Sequence, residues 1–551
     1  MFGAFICVFP SRRMALGATA AQPWHYTSPL LLAATGALTC LPLCAQLVCQ
    51  LNGKAPPGRE NSNVSAMKTL FLNPPAYDDF DGGAGSRYQA TREVWSFWYP
   101  TWLCYPAGLV PESRVLDAPP EHLNQEQAVA IARDYDFVVV HTSTPSFQLD
   151  VRTAQMIKDA NPNCLIAFVG GHVTALPDAS LKASRAIDLV ARKEFDFAVR
   201  DVALGKDWAS IAGISYRQNG SIVHNPEPPP LTTEQLDALP FVTPVYNRDL
   251  QYLKYNSPYC HYPYVSLYTG RGCPARCTFC LWPQVTTGHS YRTRSPENVC
   301  EEVRQMPRLF PEMKEIFFDD DTFTADPPRA RKLAEMFKPL GLCWSTNARA
   351  NVDRETLRVM KEGGLRVLVV GYESGNEQIL KNIKKGVSLE RARRFTKDCH
   401  DLGVLIHGTF IVGLPGETMQ TIEESIRFAR EMNPETIQVS LASPYPGTHF
   451  YDYVRENNFL VQNVYNDEAG YQRCTVSYPE VSAEEIFAAV ERFYRKYYFR
   501  PKYFFKAAKK MVKSRAERKR MLREAGEFLA TMRKRRSNGK GAAAPSPTPS
   551  L

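Results

Sequence analysis

The sequence predicts an α/β protein built in two parts: a Rossmann-like doubly wound parallel domain, then a partial, TIM-like (β/α)6 barrel, followed by a helical basic tail. Three observations carry this. Short apolar runs alternate with helical stretches from Met67 to about Arg217. A second alternation, with six strand–helix units, runs from Tyr264 to about Asn457. Charge is segregated: the 551-residue chain has a net charge of +9, yet residues 500–540 hold sixteen Lys/Arg against three Glu, so the tail carries +13 and the rest −4.

Residues 1–66 read either as a leader or as sequence ahead of the true initiator. Ser28 to Leu51 is apolar and uncharged, long enough for a signal or membrane span, though interrupted by prolines. Met67-Lys-Thr-Leu-Phe-Leu-Asn-Pro-Pro then opens a clean strand and turn. Residues 67–217 supply candidate strands at 69–72, 114–116, 137–141, 165–169 and 188–190, with helices at 124–134 and 147–160. Apolar runs bounded by Pro, Asn, Asp and Gly are the kind buried in parallel sheets. Ligands of such sheets bind beyond the carboxyl ends of the strands. Those ends carry Asn73-Pro-Pro, Asp117, His141-Thr-Ser-Thr and Gly170-Gly-His172. The Gly82–Gly85 cluster suits a nucleotide tail or an ordinary loop. Residues 218–258, rich in proline, read as a linker.

The barrel segment, 259–460, has strands beginning near Val265, Ile316, Cys343, Val367, Leu405 and Ile437. Helices fall at 296–308, 329–338, 354–362, 389–402 and 420–432, with Asp353 as an N-cap and Gly363 and Gly403 as C-caps. Reactive groups of such barrels sit at the carboxyl ends of strands. There stand Asp319-Asp320-Asp321, Arg349, Gly371-Tyr-Glu373-Ser374 and Gly408 to Glu417. The aspartates suit a cationic ligand, a proton transfer or simple helix capping. Arg349 suits either a ligand carboxylate or a structural ion pair. His172, His407 and His449 read as hydrogen-bonded core or pocket residues, because none has a partner at metal spacing.

Directly after the first barrel strand comes Gly-Arg-Gly-Cys273-Pro-Ala-Arg-Cys277-Thr-Phe279-Cys280. Three thiolates on one short loop can hold three corners of a cubic iron–sulfur cluster and leave the fourth iron open. A structural zinc site would need a second cysteine pair, and Cys300, Cys343 and Cys399 stand singly. The scattered cysteines, Cys104, Cys164 and Cys474 among them, read as small buried hydrophobes of a reducing compartment.

The C-x3-C-x2-C loop with Phe279 before the last cysteine resembles the signature of the radical S-adenosylmethionine (SAM) superfamily. The resemblance implies a [4Fe-4S] cluster on Cys273, Cys277 and Cys280. SAM would chelate the open iron and be cleaved to a 5′-deoxyadenosyl radical. It further implies cofactor contacts from Phe279, Asp320, Arg349, Gly371, Glu373, Ser374, Ile411 and Gly413, with Glu373 accepting the SAM ammonium. Residues 67–217 resemble the cobalamin-binding-type domain that precedes many such barrels, but D-x-H-x-x-G is absent, so any cobalamin would bind without a histidine on its lower face. The body of the chain further resembles the hopanoid-associated radical SAM proteins of the cyclitol-ether branch, through Met67 to Pro75, Phe80 to Tyr88, Phe97 to Trp102 and Leu116 to Pro120. That resemblance implies radical rearrangement of the sugar of a glycosylated hopanoid, a lipid-linked glycoside. It also implies an electron donor such as flavodoxin or ferredoxin, and residence in the bacterial cytoplasm, peripheral to the inner membrane. A cobalamin-dependent methyltransferase and a tRNA-modifying enzyme stand as alternatives. Residues 461–538 read as a helical basic extension whose aromatics suit a membrane surface, with a solvated helix and a nucleic-acid arm as alternatives, and 539–551 as a low-complexity end.

Overall fold

The first sheet is buried on both faces, and its strands show why their sequences are continuously apolar. In β1 (Thr69–Asn73), β2 (Ser113–Asp117), β3 (Phe137–His141), β4 (Leu165–Val169) and β5 (Leu189–Ala191), alternate residues face opposite sides. Phe71, Val115, Val139 and Ala167 join the large core shared with the rest of the chain. Leu70, Leu72, Val138, Val140 and Phe168 join a separate core on the other face. Parallel pairing runs β2-β1-β3-β4-β5, and β6 (Ile214–Gln218) and β7 (Ser221–His224) extend the sheet antiparallel. The structure is a computed structural model that describes residues 66–75, 97–466, 470, 472–501 and scattered positions between 503 and 526. The expectations for residues 1–65, for Gly82–Gly85, for Phe80 to Tyr88 and for 539–551 fall outside the described residues.

The strand pair β6–β7 runs into the segment expected to be a linker. Gln218 and the Asn219-Gly220 turn lead straight back into Ser221–His224, and helices Thr233–Ala238 and Val242–Asp249 follow. The prolines there (Pro226, Pro228, Pro229, Pro230) punctuate an ordered connection rather than a loose one. The Asn-Gly turn, with φ of +49° and +80°, is the hairpin signal that the proline count obscured.

The second sheet has six parallel strands: β8 (Tyr264–Leu267), β11 (Glu315–Phe318), β12 (Trp344–Arg349), β13 (Leu365–Glu373), β14 (Leu405–Val412) and β15 (Thr436–Leu441), in that spatial order. Two short strands, β9 (Gly270–Arg271) and β10 (Arg292–Thr293), pair antiparallel beside it. Strand starts lie within two residues of those expected. Helices Arg354–Glu362 and Leu389–Leu402 match their expected bounds, with Asp353 accepting from Thr356 N and Gly403 in the left-handed region. This is the half-barrel expected, open along the β8 and β15 edges.

The helix Thr101–Leu109 and the segment before it dock on the β8 side through tyrosines. Tyr99 Oη donates to Tyr264 O (2.8 Å), Tyr105 Oη to Tyr268 O (3.1 Å), and Tyr264 Oη to Phe97 O (3.1 Å). At the other edge, helix Ala483–Tyr498 buries Ile486, Val490, Phe493 and Tyr497. Its Tyr494 Oη accepts from Val439 N and its Tyr498 Oη from Ile437 N, at 2.9 and 3.0 Å. The helix therefore runs antiparallel to β15 and ends at the amino-terminal end of the barrel. Among the described residues no helix is long and apolar enough to cross a membrane.

Candidate active site

The cysteine loop is closed at its base by β9 and β10, with Arg271 opposite Arg292. Gly272 turns the chain at φ +90°, where a Cβ would lie 2.2 Å from Ser290 O, so only glycine fits. Cys273 and Cys277 are buried and Cys280 is partly exposed. Gln284 Nε2 donates to the carbonyls of Cys277, Thr278 and Cys280 at 2.8–3.1 Å. His289 Nδ1 sits 2.8 Å from Ala275 O and 3.3 Å from Cys273 O. The loop's own carbonyls are thus tied outward, leaving the thiols as the loop's reactive groups. Among the described residues, the ligand set gathered within 4.8 Å, as one ion requires, is His261, Glu315 and Cys343. The loop cysteines are not part of it. Three thiols on one braced loop, two buried and one partly exposed, and spread wider than one ion's shell, fit a cluster better than zinc.

Behind Cys277 lies a cationic pair. Burial pushes its thiol up, and Lys385 and Arg349 push back toward the thiolate. Lys385 Nζ bonds Glu373 Oε1 at 2.7 Å, with both side chains at most 9% exposed. Glu373 sits at φ +63°, an unusual region for a glutamate. A Cβ on Gly371 would fall 2.3 Å from Glu373 Oε1 and 2.8 Å from Lys385 Nζ. Gly371 therefore makes room for this ion pair. Arg349 Nη2 donates to Lys385 O. The structure thus brings Arg349, Gly371 and Glu373, three of the residues singled out in the sequence, together beside Cys277, and adds Lys385.

Other expected contacts point elsewhere. Asp320 is fully buried and accepts from Thr269 N (2.5 Å), Thr269 Oγ1 (2.6 Å) and Tyr291 Oη (2.7 Å), with Arg329 nearby. It ties the end of β8 to the segment before β10. A buried carboxylate needs such partners, and here they come from the protein. Ser374 Oγ lies 3.1 Å from Ser425 Oγ on helix Met419–Met432, turned away from the cysteines. Gly413 donates to Glu417 Oε2 (2.6 Å), and its Cβ direction faces Ile486 and Val476. Phe279 and Ile411 are partly buried against the core. Of the watched histidines, His172 and His407 are held neutral by burial, each near pKa 4, while Nδ1 of each meets a threonine. His449 is exposed at the start of helix His449–Glu456.

The first domain contributes directly to the loop. Arg271 makes a two-point ion pair with Asp196, at 2.6 and 2.9 Å, with Glu194 at 3.6 Å. Its guanidinium lies over Trp102, whose ring stacks on Trp282 at 5.5 Å. Gly171, at the carboxyl edge of the first sheet, has Leu281 Cδ2 2.9 Å from its Cβ position. That edge therefore abuts the residue next to Cys280. Sequence reasoning missed Gln284, His289, Lys385 and Asp196. Gln284 and His289 lie within ten residues of Cys280, close enough to have been weighed. Lys385 and Asp196 come from distant segments and have no local signal.

Comparison with known proteins agrees with this geometry. The radical SAM superfamily profile matches residues 267–429. The chain is 30% identical over 460 residues to an uncharacterized methyltransferase of Pyrococcus horikoshii, spanning 80% of this chain and 95% of that protein. It is 26% identical over 307 residues to the hopanoid C-3 methylase of Methylococcus capsulatus, spanning 54% of this chain and 56% of that one. The radical SAM methyltransferase TsrM of Kitasatospora setae, solved with cobalamin and a [4Fe-4S] cluster, aligns with a TM-score of 0.62 at 15% identity, over 84% of this chain and 99% of that structure. The radical SAM domain implies both the cluster and SAM, and the loop's three thiols suit the cluster. The chain belongs to the radical SAM superfamily and is an iron–sulfur enzyme of that class.

Proposed function

We propose that this enzyme is a cobalamin-dependent radical SAM methyltransferase. The observation that carries the reading is the meeting of the first sheet's carboxyl edge with the cysteine loop, at Gly171 and Leu281. A group held at that edge would face the cluster and the SAM bound to it. The donor set there suits a corrinoid bound without a histidine ligand. His172 Nδ1 already meets Thr144 Oγ1 at 3.1 Å, and its ring packs on Phe147. When bound, the cluster would supply an electron to SAM and the corrinoid a carrier for the methyl group.

The chain's own residues divide the remaining work. Cys273, Cys277 and Cys280 would hold three irons. Glu373 would accept the SAM ammonium, with the ion pair to Lys385 aiming its carboxylate. Arg349 would lend positive charge toward the SAM carboxylate. Trp102 and Trp282 would exclude water from the side facing the first domain.

The likeness to several methyltransferases favours methyl transfer over rearrangement of a hopanoid-borne sugar. The likeness to a hopanoid methylase supports a polycyclic lipid as the substrate class. Anaerobic reconstitution tests both points. The expected result is stoichiometric corrinoid binding, release of S-adenosylhomocysteine, and transfer of label from methyl-labelled SAM to product. A chain that binds no corrinoid yet forms 5′-deoxyadenosine only with a glycosylated hopanoid would establish the rearrangement instead. Cys277→Ala should abolish SAM cleavage in either case.

A further inference from the structure

The most water-exposed apolar side chains are concentrated at one place. Among the large hydrophobic residues described, the four most exposed are Val512 (85%), Phe505 (77%), Phe499 (59%) and Leu522 (59%). All four lie within 24 residues of sequence, three of them inside the stretch 500–540 that carries the +13 excess and Phe499 directly before it. An isolated exposed leucine needs no explanation, but a run of apolar residues interleaved with lysine and arginine does. The root of this stretch is also basic. Arg427, Arg430, Glu431, Arg500 and Pro501 line an open concavity of about 530 Å³. Glu431 is already paired with Arg393 at 2.7 Å. Arg500 is anchored by Asn433 Oδ1 (2.7 Å) and Arg430 O (3.0 Å), with its guanidinium over Tyr497. The cationic surface therefore begins on the folded barrel and continues into the tail.

We propose that the segment from Phe499 to about Lys540, with the arginine-lined concavity at its root, docks the enzyme onto an anionic lipid bilayer. Two features select a bilayer over RNA. Val512 and Leu522 have no π face on which a base can stack, whereas hydrocarbon accepts them readily. The positive charge is complementary to acidic headgroups, which attract each Lys and Arg near the surface. Lysines and arginines recur every few residues along the segment, a pattern that suits lying on the surface rather than spanning the bilayer. This inference is independent of the methyl-transfer reading, because it concerns residues at the end of the barrel away from the cysteines.

The full chain is tested by co-sedimentation with vesicles of phosphatidylglycerol and phosphatidylcholine, against vesicles of phosphatidylcholine alone. The expected result is binding to the acidic vesicles, weakened by raised salt, with little on the neutral ones. The double variant Phe505→Asp, Val512→Asp should bind at least about tenfold more weakly, since two apolar insertions are lost. An unchanged thermal transition for that variant shows that the barrel is intact. The proposal is overturned by absence from acidic vesicles, by a double variant that binds as the parent does, or by an equal affinity for single-stranded RNA that the double variant leaves untouched.

Discussion

Asp196→Ala is the sharpest test of how the first domain supports the cysteine loop. It leaves Arg271, 2% exposed at its side chain, without its two-point partner. Breaking a buried ion pair by removing one member typically costs about 3–5 kcal/mol, because the remaining charge stays desolvated. Glu194, 3.6 Å from Arg271 and itself bonded to Arg292 at 2.7 Å, offers partial compensation. The expected loss is therefore near the lower end, about 3 kcal/mol. The stacking of Arg271 on Trp102 persists but cannot replace a carboxylate. Since Arg271 precedes Cys273 by two residues, the loop should loosen as well. The assay is urea denaturation of anaerobically prepared protein, read beside iron content per chain. A variant within about 1 kcal/mol of the parent that retains its full iron would refute the reasoning, because Arg271 would then have other support.

Three further outcomes are expected. Lys385→Met should weaken SAM binding about tenfold or more, as should Glu373→Gln, and the double variant should lose little beyond either, because the two groups act as one pair; additive losses by calorimetry would contradict this. Burial lifts the Glu417 carboxyl to about 8. A folded pKa raised above the unfolded value stabilises below the ordinary carboxylate range and loses that contribution as pH rises through about 8, so the parent should lose thermal stability from pH 6 to 9 more steeply than Glu417→Gln; parallel profiles would show the carboxyl to be solvated. Gly272→Ala should shed iron on anaerobic gel filtration, given the 2.2 Å approach to Ser290 O, and full retention would mean that the turn can relax.

Much of this architecture was legible in the chain, and the limits were physical. Parallel strands buried on both faces announce themselves as apolar runs, which is why 137–141 and 165–169 were found to the residue. The helix 354–362 carries its own cap in Asp353. Edge strands such as Ser221–His224 are half polar and short, so the prolines beside them dominated the reading. At the site, the cysteines and Glu373 stood in local patterns. Asp320 stood in one too, and misled, because a strand-end carboxylate looks the same whether it faces a ligand or Thr269 and Tyr291. Lys385 and Asp196 become visible only when the fold brings distant segments together.

The place where helix Ala483–Tyr498 ends has a consequence for reach. It delivers the chain to the amino-terminal end of a barrel whose strands, at roughly 3.3 Å per residue, stand about 20 Å tall for six residues. The cysteines open at the opposite end. A bilayer gripped by the tail would therefore lie under the floor of the barrel, with the reactive mouth lifted clear of the headgroups. A lipid-borne substrate would have to be drawn out by at least that height. Otherwise the tail, whose forty or so residues give it ample reach, would have to bring the mouth down to the surface. Tail length would then govern access to membrane-bound substrate and leave turnover of a detergent-dispersed one unchanged.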